Sequence, residues 1–192
     1  MLLAVLLLLS CLAILRIILI IPAFEIGKSA SPNRKHKKQK ALVVLGSGGH
    51  TTEMVYILKA LGSNYFDKIS YIYSIDDSLS SNFIPVPRAR KVGQSFSTSV
   101  FSTLYAFVFS IKAVFSEKPD IIICNGPSIC VPVVFASYIL KMTRTIYIES
   151  FARVKSLSLS GKILYPLSDK FVVQWKYLSE KYPKAEFRGF LV

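Results

Sequence analysis

Two kinds of apolar spacing divide this chain. Residues 2–21 form an almost unbroken apolar run, and at about 20 residues such a run is long enough to cross a bilayer as a helix. From Ala41 onward, short branched runs alternate with stretches whose apolar residues recur every three or four positions, the rhythm of strands followed by helices. Residues 41–45 read as a strand buried on both faces, followed by a helix with Met54, Ile57, Leu58 and Leu61 on one side. Residues 68–74 predict a second strand, and 82–86 a short third strand bounded by Pro85 and Pro87. A helix is expected over 97–116, a buried strand over 120–124, and an apolar helix to Leu140 that tolerates Pro132 in its first turn. Further strands are expected at 145–148 and 170–173, helices at 158–167 and 177–182, and a last extended stretch over 186–192. Strands alternating with helices predict one doubly wound α/β domain of six or seven mainly parallel strands.

The helix over 97–116 has an unusual surface. Val100, Phe101, Leu104, Tyr105, Phe107, Val108, Ile111, Val114 and Phe115 cover more than half of its circumference, leaving a Ser/Thr strip. Such a helix is either buried on most sides or lies against lipid.

The apolar run at the N-terminus reads as a permanent anchor. Met1 leads directly into leucines without the basic n-region of a signal peptide, and apolar residues continue past Cys11. Arg16 lies near enough to the end of the run to snorkel toward the interface. Lys28, Arg34, Lys35, Lys37, Lys38 and Lys40 then crowd a polar stretch with too little apolar surface to fold. Basic flanks stay on the cytoplasmic side, and the chain has no Asn-x-Ser/Thr sequon. The expected organisation is an anchor over 1–21, a basic juxtamembrane linker over 22–40 and a cytosolic domain over 41–192.

Composition narrows the choice of partners. The 192 residues carry a formal net charge of +13 while 52% of them are hydrophobic, which favours an anionic membrane surface or phosphorylated ligands over nucleic acid. Cys11, Cys124 and Cys130 are an odd number without ligand spacing and read as buried or membrane thiols in a reducing compartment.

The chemistry gathers at the turn Gly46-Ser47-Gly48-Gly49 and the His50 after it. Backbone N–H groups left free at a helix start point out of such a turn, and glycines let a phosphate approach them. The turn alone is equally an ordinary strand-to-helix connection; His50 favours an anion cradle, because it sets a titratable group at the mouth. Asn125-Gly126-Pro127-Ser128 forms a second strand-to-helix turn. Arg88, Arg90 and Lys91 line a basic loop, either solvated or a clamp for a diphosphate. Asp76 and Asp77 read as turn acids rather than a metal pair. Glu149 ends a strand on the side where α/β sheets place ligands, and it is either a site group or a structural cap.

Several enzyme classes fall away. The first turn lacks the third glycine of a dinucleotide fingerprint, and Tyr177-x-x-x-Lys181 lies too close to the C-terminus for a dehydrogenase. No Lys-Ser/Thr follows the glycines as in a P-loop, and there is no Gly-x-Ser-x-Gly elbow. Two histidines and unpaired cysteines give no zinc set. Neither metal nor cofactor is expected.

Gly46-Ser47-Gly48-Gly49-His50-Thr51, Asn125-Gly126-Pro127-Ser128-x-Cys130-Val131-Pro132, Tyr147-Ile148-Glu149-Ser150-x-Ala152-Arg153-Val154, Leu157-Ser158-Leu159-Ser160-Gly161-Lys162 and Val173-Gln174-Trp175 run in this order through 41–192. Together they resemble the membrane-anchored subunit of the eukaryotic two-subunit UDP-N-acetylglucosamine transferase, and more distantly the acceptor half of the bacterial peptidoglycan N-acetylglucosaminyltransferase. Ser128 stands where that family more often has glycine, which implies a less open second turn.

The resemblance implies a Rossmann-like N-terminal half of a two-domain GT-B glycosyltransferase, preceded by one transmembrane helix. It implies an acceptor-binding and membrane-anchoring subunit that helps add the second N-acetylglucosamine to N-acetylglucosamine-diphosphate-dolichol in N-glycosylation. A separate soluble subunit would bind the donor, docking at Phe190, Leu191 and Val192. The location implied is the endoplasmic reticulum membrane and its continuation in the nuclear envelope, with the bulk of the chain cytosolic. Gly46, Ser47, Gly48, Gly49, Asn125, Gly126, Arg88, Arg90 and Lys91 would hold the acceptor diphosphate, and His50 would be the base. Glu149 would orient His50 or be the base itself. The alternative is a pure scaffold with no group in the catalytic cleft.

Overall fold

The computed structural model describes residues 38–74, 83–90, 93–140 and 143–191. The expected anchor, most of the basic linker, the Asp76-Asp77 turn, Lys91 and Val192 lie outside the described residues.

Seven strands form one sheet in the order β3-β2-β1-β4-β5-β6-β7, every neighbouring pair parallel. They are β1 (Gln39–Val44), β2 (Phe66–Ser74), β3 (Ile84–Val86), β4 (Ile121–Asn125), β5 (Arg144–Ile148), β6 (Lys170–Val173) and β7 (Ala185–Phe187). The helices between them are α1 (Gly49–Leu61), α2 (Phe96–Glu117), α3 (Cys130–Leu140), α4 (Leu159–Leu164) and α5 (Lys176–Lys181). The chain builds outward from β1 to β3, crosses back through α2, and builds outward again from β4. The strand order therefore reverses between β1 and β4, where Val43 faces Ile123 in register. In an open parallel sheet, ligands bind at the carboxyl ends of the strands flanking such a reversal.

Side chains alternate across a strand, and the core follows that rule. Leu42 and Val44 enter one cluster with Ile122, Cys124, Val133, Val134, Tyr147 and Phe171. Val43 and Leu45 enter another, on the opposite face, with Met54, Ile57, Ile123 and Ile148. Among the described residues, every helix residue of that second cluster comes from α1, and Ile121, Ile146 and Val172 are only partly buried there.

Helix α2 resolves the choice its sequence left open in favour of a two-sided helix. Ala106, Ser110, Ala113 and Val114 are buried, whereas Val100, Phe101, Leu104, Tyr105, Val108 and Phe115 are exposed on the molecular surface. By length and composition it is the one helix among the described residues able to cross a membrane. Ser95 caps it by accepting from the Thr98 backbone N–H, and Glu117 at its far end accepts from Lys68 and Ser70 of β2. Those two donors hold the Glu117 carboxyl below its usual range.

Three expectations need correction. The helix predicted over 158–167 spans only Leu159–Leu164, with Tyr165 still helical in its dihedrals; Pro166 has no N–H to donate to a further turn, and the chain leaves through a turn closed on the Leu164 carbonyl. Leu61, assigned to the buried side of α1, is 42% exposed in its last turn. The extended stretch at the C-terminus is not one strand: β7 stops at Phe187, and Gly189 takes φ +84°, a conformation open to glycine. Phe190 then packs against Trp175 and Phe151, and the Leu191 N–H donates to Gln174 Oε1 at 3.1 Å.

Ile122, fully buried in central strand β4, should lose about 2–5 kcal/mol of stability on replacement by Ala. Phe101→Ser, on the exposed face of α2, should change it by no more than about 0.5 kcal/mol. Chemical unfolding of the two full-length variants checks the contrast.

Candidate functional site

Two turns meet at the point where the strand order reverses. After β1 the chain runs through Gly46–Gly49 into α1, with Gly48 at φ +58°. No side chain caps that helix; the Thr51 N–H donates to the Gly48 carbonyl, which leaves the N–H groups of Gly49 and His50 at the helix start to an anion. After β4 the chain runs through Asn125-Gly126-Pro127 into α3, with Gly126 at φ +71°.

The turns touch, and His50 is seated between them. A Cβ built on Gly46 would fall 2.8 Å from His50 Cβ and 3.0 Å from Pro127 Cβ. A Cβ on Gly126 would fall 2.6 Å from His50 Cε1. Both glycines are thus required by the histidine as well as by any phosphate. The ring is partly exposed, with Nδ1 lying 3.1 Å from Asn125 Oδ1. An amide oxygen can only accept, so this contact is a hydrogen bond in the tautomer with the hydrogen on Nδ1, which leaves Nε2 its lone pair in the neutral ring. Asn125 is fully buried and its Nδ2 has no partner among the described residues, so an unpaired N–H donor belongs to the same side chain that contacts the histidine. Thr51 hydroxyl donates to the Gly46 carbonyl and braces the first turn.

Sequence reasoning placed Glu149 with His50, but the structure turns its oxygens into a neighbouring loop. Oε2 accepts from the Ser158 backbone N–H at 2.9 Å and from its hydroxyl at 3.1 Å, while Oε1 accepts from the Ser150 N–H. Burial pushes the Glu149 carboxyl up, and these hydrogen bonds partly oppose the rise. Neither oxygen is bonded to His50. The carboxylate beside the ring belongs to Glu53, whose Oε2 lies 3.7 Å from His50 Nδ1. The available signal was spacing, since positions 50 and 53 share one face of a helix.

The remaining predicted residues spread along the same end of the sheet. Arg88 follows β3 and donates to Ser74 Oγ at 3.3 Å, and Arg90 donates to the Gln94 carbonyl. Because all strands are parallel, both lie on the carboxyl end shared by the glycine turns. Ser128 is half-buried in the second turn, its carbonyl accepting the Val131 N–H. Cys124 and Cys130 are buried free thiols, and burial pushes the Cys130 thiol up, away from its reactive form.

Phe190 lies at the β6–β7 side of the sheet, while Leu191 folds back against the cluster of Leu45, Met54 and Ile57. Phe190 joins Phe151, Trp175 and Phe187 in a cluster of edge-on and tilted rings. The Trp175 indole N–H donates to the Phe151 carbonyl at 2.7 Å. The cluster borders an open groove of about 620 Å³ that includes Val154, Lys155 and Tyr177.

The parallel sheet with this reversal is shared with solved structures of MurG and of UDP-N-acetylglucosamine 2-epimerases. The chain matches MurG from Acinetobacter baumannii with a TM-score of 0.60 at 14% identity, covering 79% of this chain and 45% of MurG. It matches a putative UDP-N-acetylglucosamine 2-epimerase from Listeria monocytogenes with a TM-score of 0.61 at 12% identity, covering 77% of this chain and 42% of that one. The chain therefore spans less than half the length of these solved proteins, and at such identities the likeness shows the fold.

Residues 41–191 match the family model described as oligosaccharide biosynthesis protein Alg14 like. The chain belongs to the Alg14 family. It is 42% identical over 204 aligned positions to the UDP-N-acetylglucosamine transferase subunit ALG14 of Yarrowia lipolytica, covering 94% of each chain. It is 39% identical to the human subunit of the same name, covering 79% of this chain and 82% of that one.

Gly161 at the start of α4 has no room for a side chain, because a Cβ there would collide with Glu149 Oε2. Gly161→Ala should lower stability by about 1–3 kcal/mol, read as a reduced midpoint in thermal unfolding of the full chain.

Proposed function

We propose that this chain is the acceptor-binding, membrane-holding subunit of a two-chain transferase. The enzyme would move N-acetylglucosamine from its UDP donor to N-acetylglucosamine-diphosphate-dolichol during assembly of the N-glycan precursor. The observation that carries this reading is the seat of His50 between two glycine turns at the strand reversal, with an uncapped helix N-terminus beside it. Relatives bearing the name of a transferase subunit support it. So does a fold whose likeness to MurG covers 45% of that protein.

On this reading the backbone N–H groups of Gly46–Gly49, the Asn125 amide and the loop of Arg88, Arg90 and Lys91 bind the acceptor's diphosphate. His50 Nε2 removes the proton from the acceptor hydroxyl as its oxygen bonds to the donor's anomeric carbon and UDP departs with the bonding electrons. Holding both substrates across the cleft between the two chains supplies much of the acceleration. The apolar run over 2–21 spans the endoplasmic reticulum membrane once, and the basic segment keeps the domain cytosolic. The exposed face of α2 lies against the same bilayer, where Phe101, Tyr105 and Phe115 suit an interface. The soluble donor-binding subunit docks at the C-terminal aromatic cluster.

The competing reading, a scaffold with no group in the cleft, differs in one outcome. His50→Ala should leave the complex assembled and lower its turnover by about 10²–10⁴-fold, measured as transfer from UDP-N-acetylglucosamine to the lipid acceptor. Wild-type turnover would leave only the scaffold. Deleting Phe190, Leu191 and Val192 should release the soluble subunit during co-purification while this chain stays in the membrane fraction; retention of the subunit would refute the docking assignment.

A further inference from the structure

Glu53 lies one helical turn beyond His50 on the same face of α1. Its side chain is only 14% exposed, and its two oxygens have different surroundings. Oε1 accepts from the Ser150 hydroxyl at 2.9 Å and from the Phe151 backbone N–H at 3.1 Å. Oε2 is buried, has no hydrogen-bond partner among the described residues, and sits 3.7 Å from His50 Nδ1. Asn125 Oδ1 approaches the same nitrogen from the end of β4. Asn125 Oδ1 at hydrogen-bond distance and the Glu53 carboxylate just beyond it both favour a hydrogen on that nitrogen. A buried acceptor without a donor is rare in folded proteins, and here it faces a group that gains charge if it works as a base.

Resting on the reading of His50 as the base, we propose that Glu53 is a positioning residue for it. Glu53 holds the ring in the Nδ1–H tautomer, so that the Nε2 lone pair faces the acceptor hydroxyl. During transfer the hydroxyl oxygen bonds to the anomeric carbon, the bond from that carbon to UDP breaks, and the proton passes to Nε2. The ring is then an imidazolium, and the fixed carboxylate of Glu53 lies beside the new charge. Glu53 is pinned in that position by its other oxygen. Because Oε1 holds the Phe151 N–H, and the Phe151 ring packs on Trp175 and Phe190, one carboxylate ties the base to the aromatic surface at the edge of the sheet.

Glu53→Gln keeps the size and an oxygen acceptor for Ser150 and Phe151 while removing the charge. In the full chain assembled with the donor-binding subunit, this variant should lower kcat at least about tenfold and leave KM for both substrates within about threefold. In a His50→Ala background the same change should cost less than about twofold, because residues acting as a unit are not additive. Unchanged kcat in Glu53→Gln, with His50→Ala impaired, would overturn the role of Glu53 and leave the base assignment standing. An equal loss in both backgrounds would also overturn it, since Glu53 would then act apart from His50. Wild-type turnover in His50→Ala would overturn both. A measurement on the unmutated site guards against a misfolded variant. The chain has two histidines, so ¹⁵N-histidine spectra of the full chain carrying His36→Gln report His50 alone. Protonated Nδ1 with unprotonated Nε2 is expected, and the opposite tautomer would overturn the proposal.

Discussion

Everything at the carboxyl end of this sheet depends on two positions having no side chain. His50 fits between the turns after β1 and β4 only because residues 46 and 126 are glycine. A methyl group at either would push the imidazole out of its seat, away from Asn125 and Glu53. Burial in the two apolar clusters fixes β1 beside β4, and that pairing brings the turns into contact. The hydrophobic core thus sets the position of a polar group that contributes little to it.

Among the described residues, the two faces of the sheet are covered unequally. Helices α2 to α5 contribute to the larger cluster, while the opposite face of the sheet draws its helix residues from α1. Ile121, Ile146 and Val172 stay partly buried there, and the Phe190 ring is 60% exposed beside Trp175. Exposed apolar surface of this extent is costly to maintain in water and marks contact surfaces. The exposed face of α2 is a second such surface, on a separate element. A lipid-linked acceptor and a separate donor chain, as proposed above, would each meet one of them.

Much of the fold was legible because alternation and period are local properties. The branched runs at 41–45 and 120–124 are strands buried on both faces, as their lack of polar alternation implies, and the switch from period 2 to period 3.6 located α1, α2 and α3. Tertiary geometry was less accessible. Gly189 looks like any glycine in the sequence, yet its positive φ turns an expected strand into a folded-back tail. Glu149 was singled out for its place at a strand end, but its backbone direction and the nearby Ser158 draw the carboxylate into a loop. Glu53 is not singled out by the sequence, because nothing local reveals that the chain after β5 lies opposite it and supplies Ser150 and Phe151. The cradle was visible as glycines and a histidine; the hydrogen-bonding partners of that histidine and of Glu53 come from 75 to 98 positions away.

The central claim is that this chain supplies half of a catalytic cleft whose other half is a donor-binding chain. Reconstitution tests it most directly. UDP-N-acetylglucosamine and N-acetylglucosamine-diphosphate-dolichol in vesicles would be supplied to the full chain alone, to the soluble subunit alone, and to both together. Transfer only when both chains are present is the predicted result; transfer at the full rate by either chain alone would contradict the account.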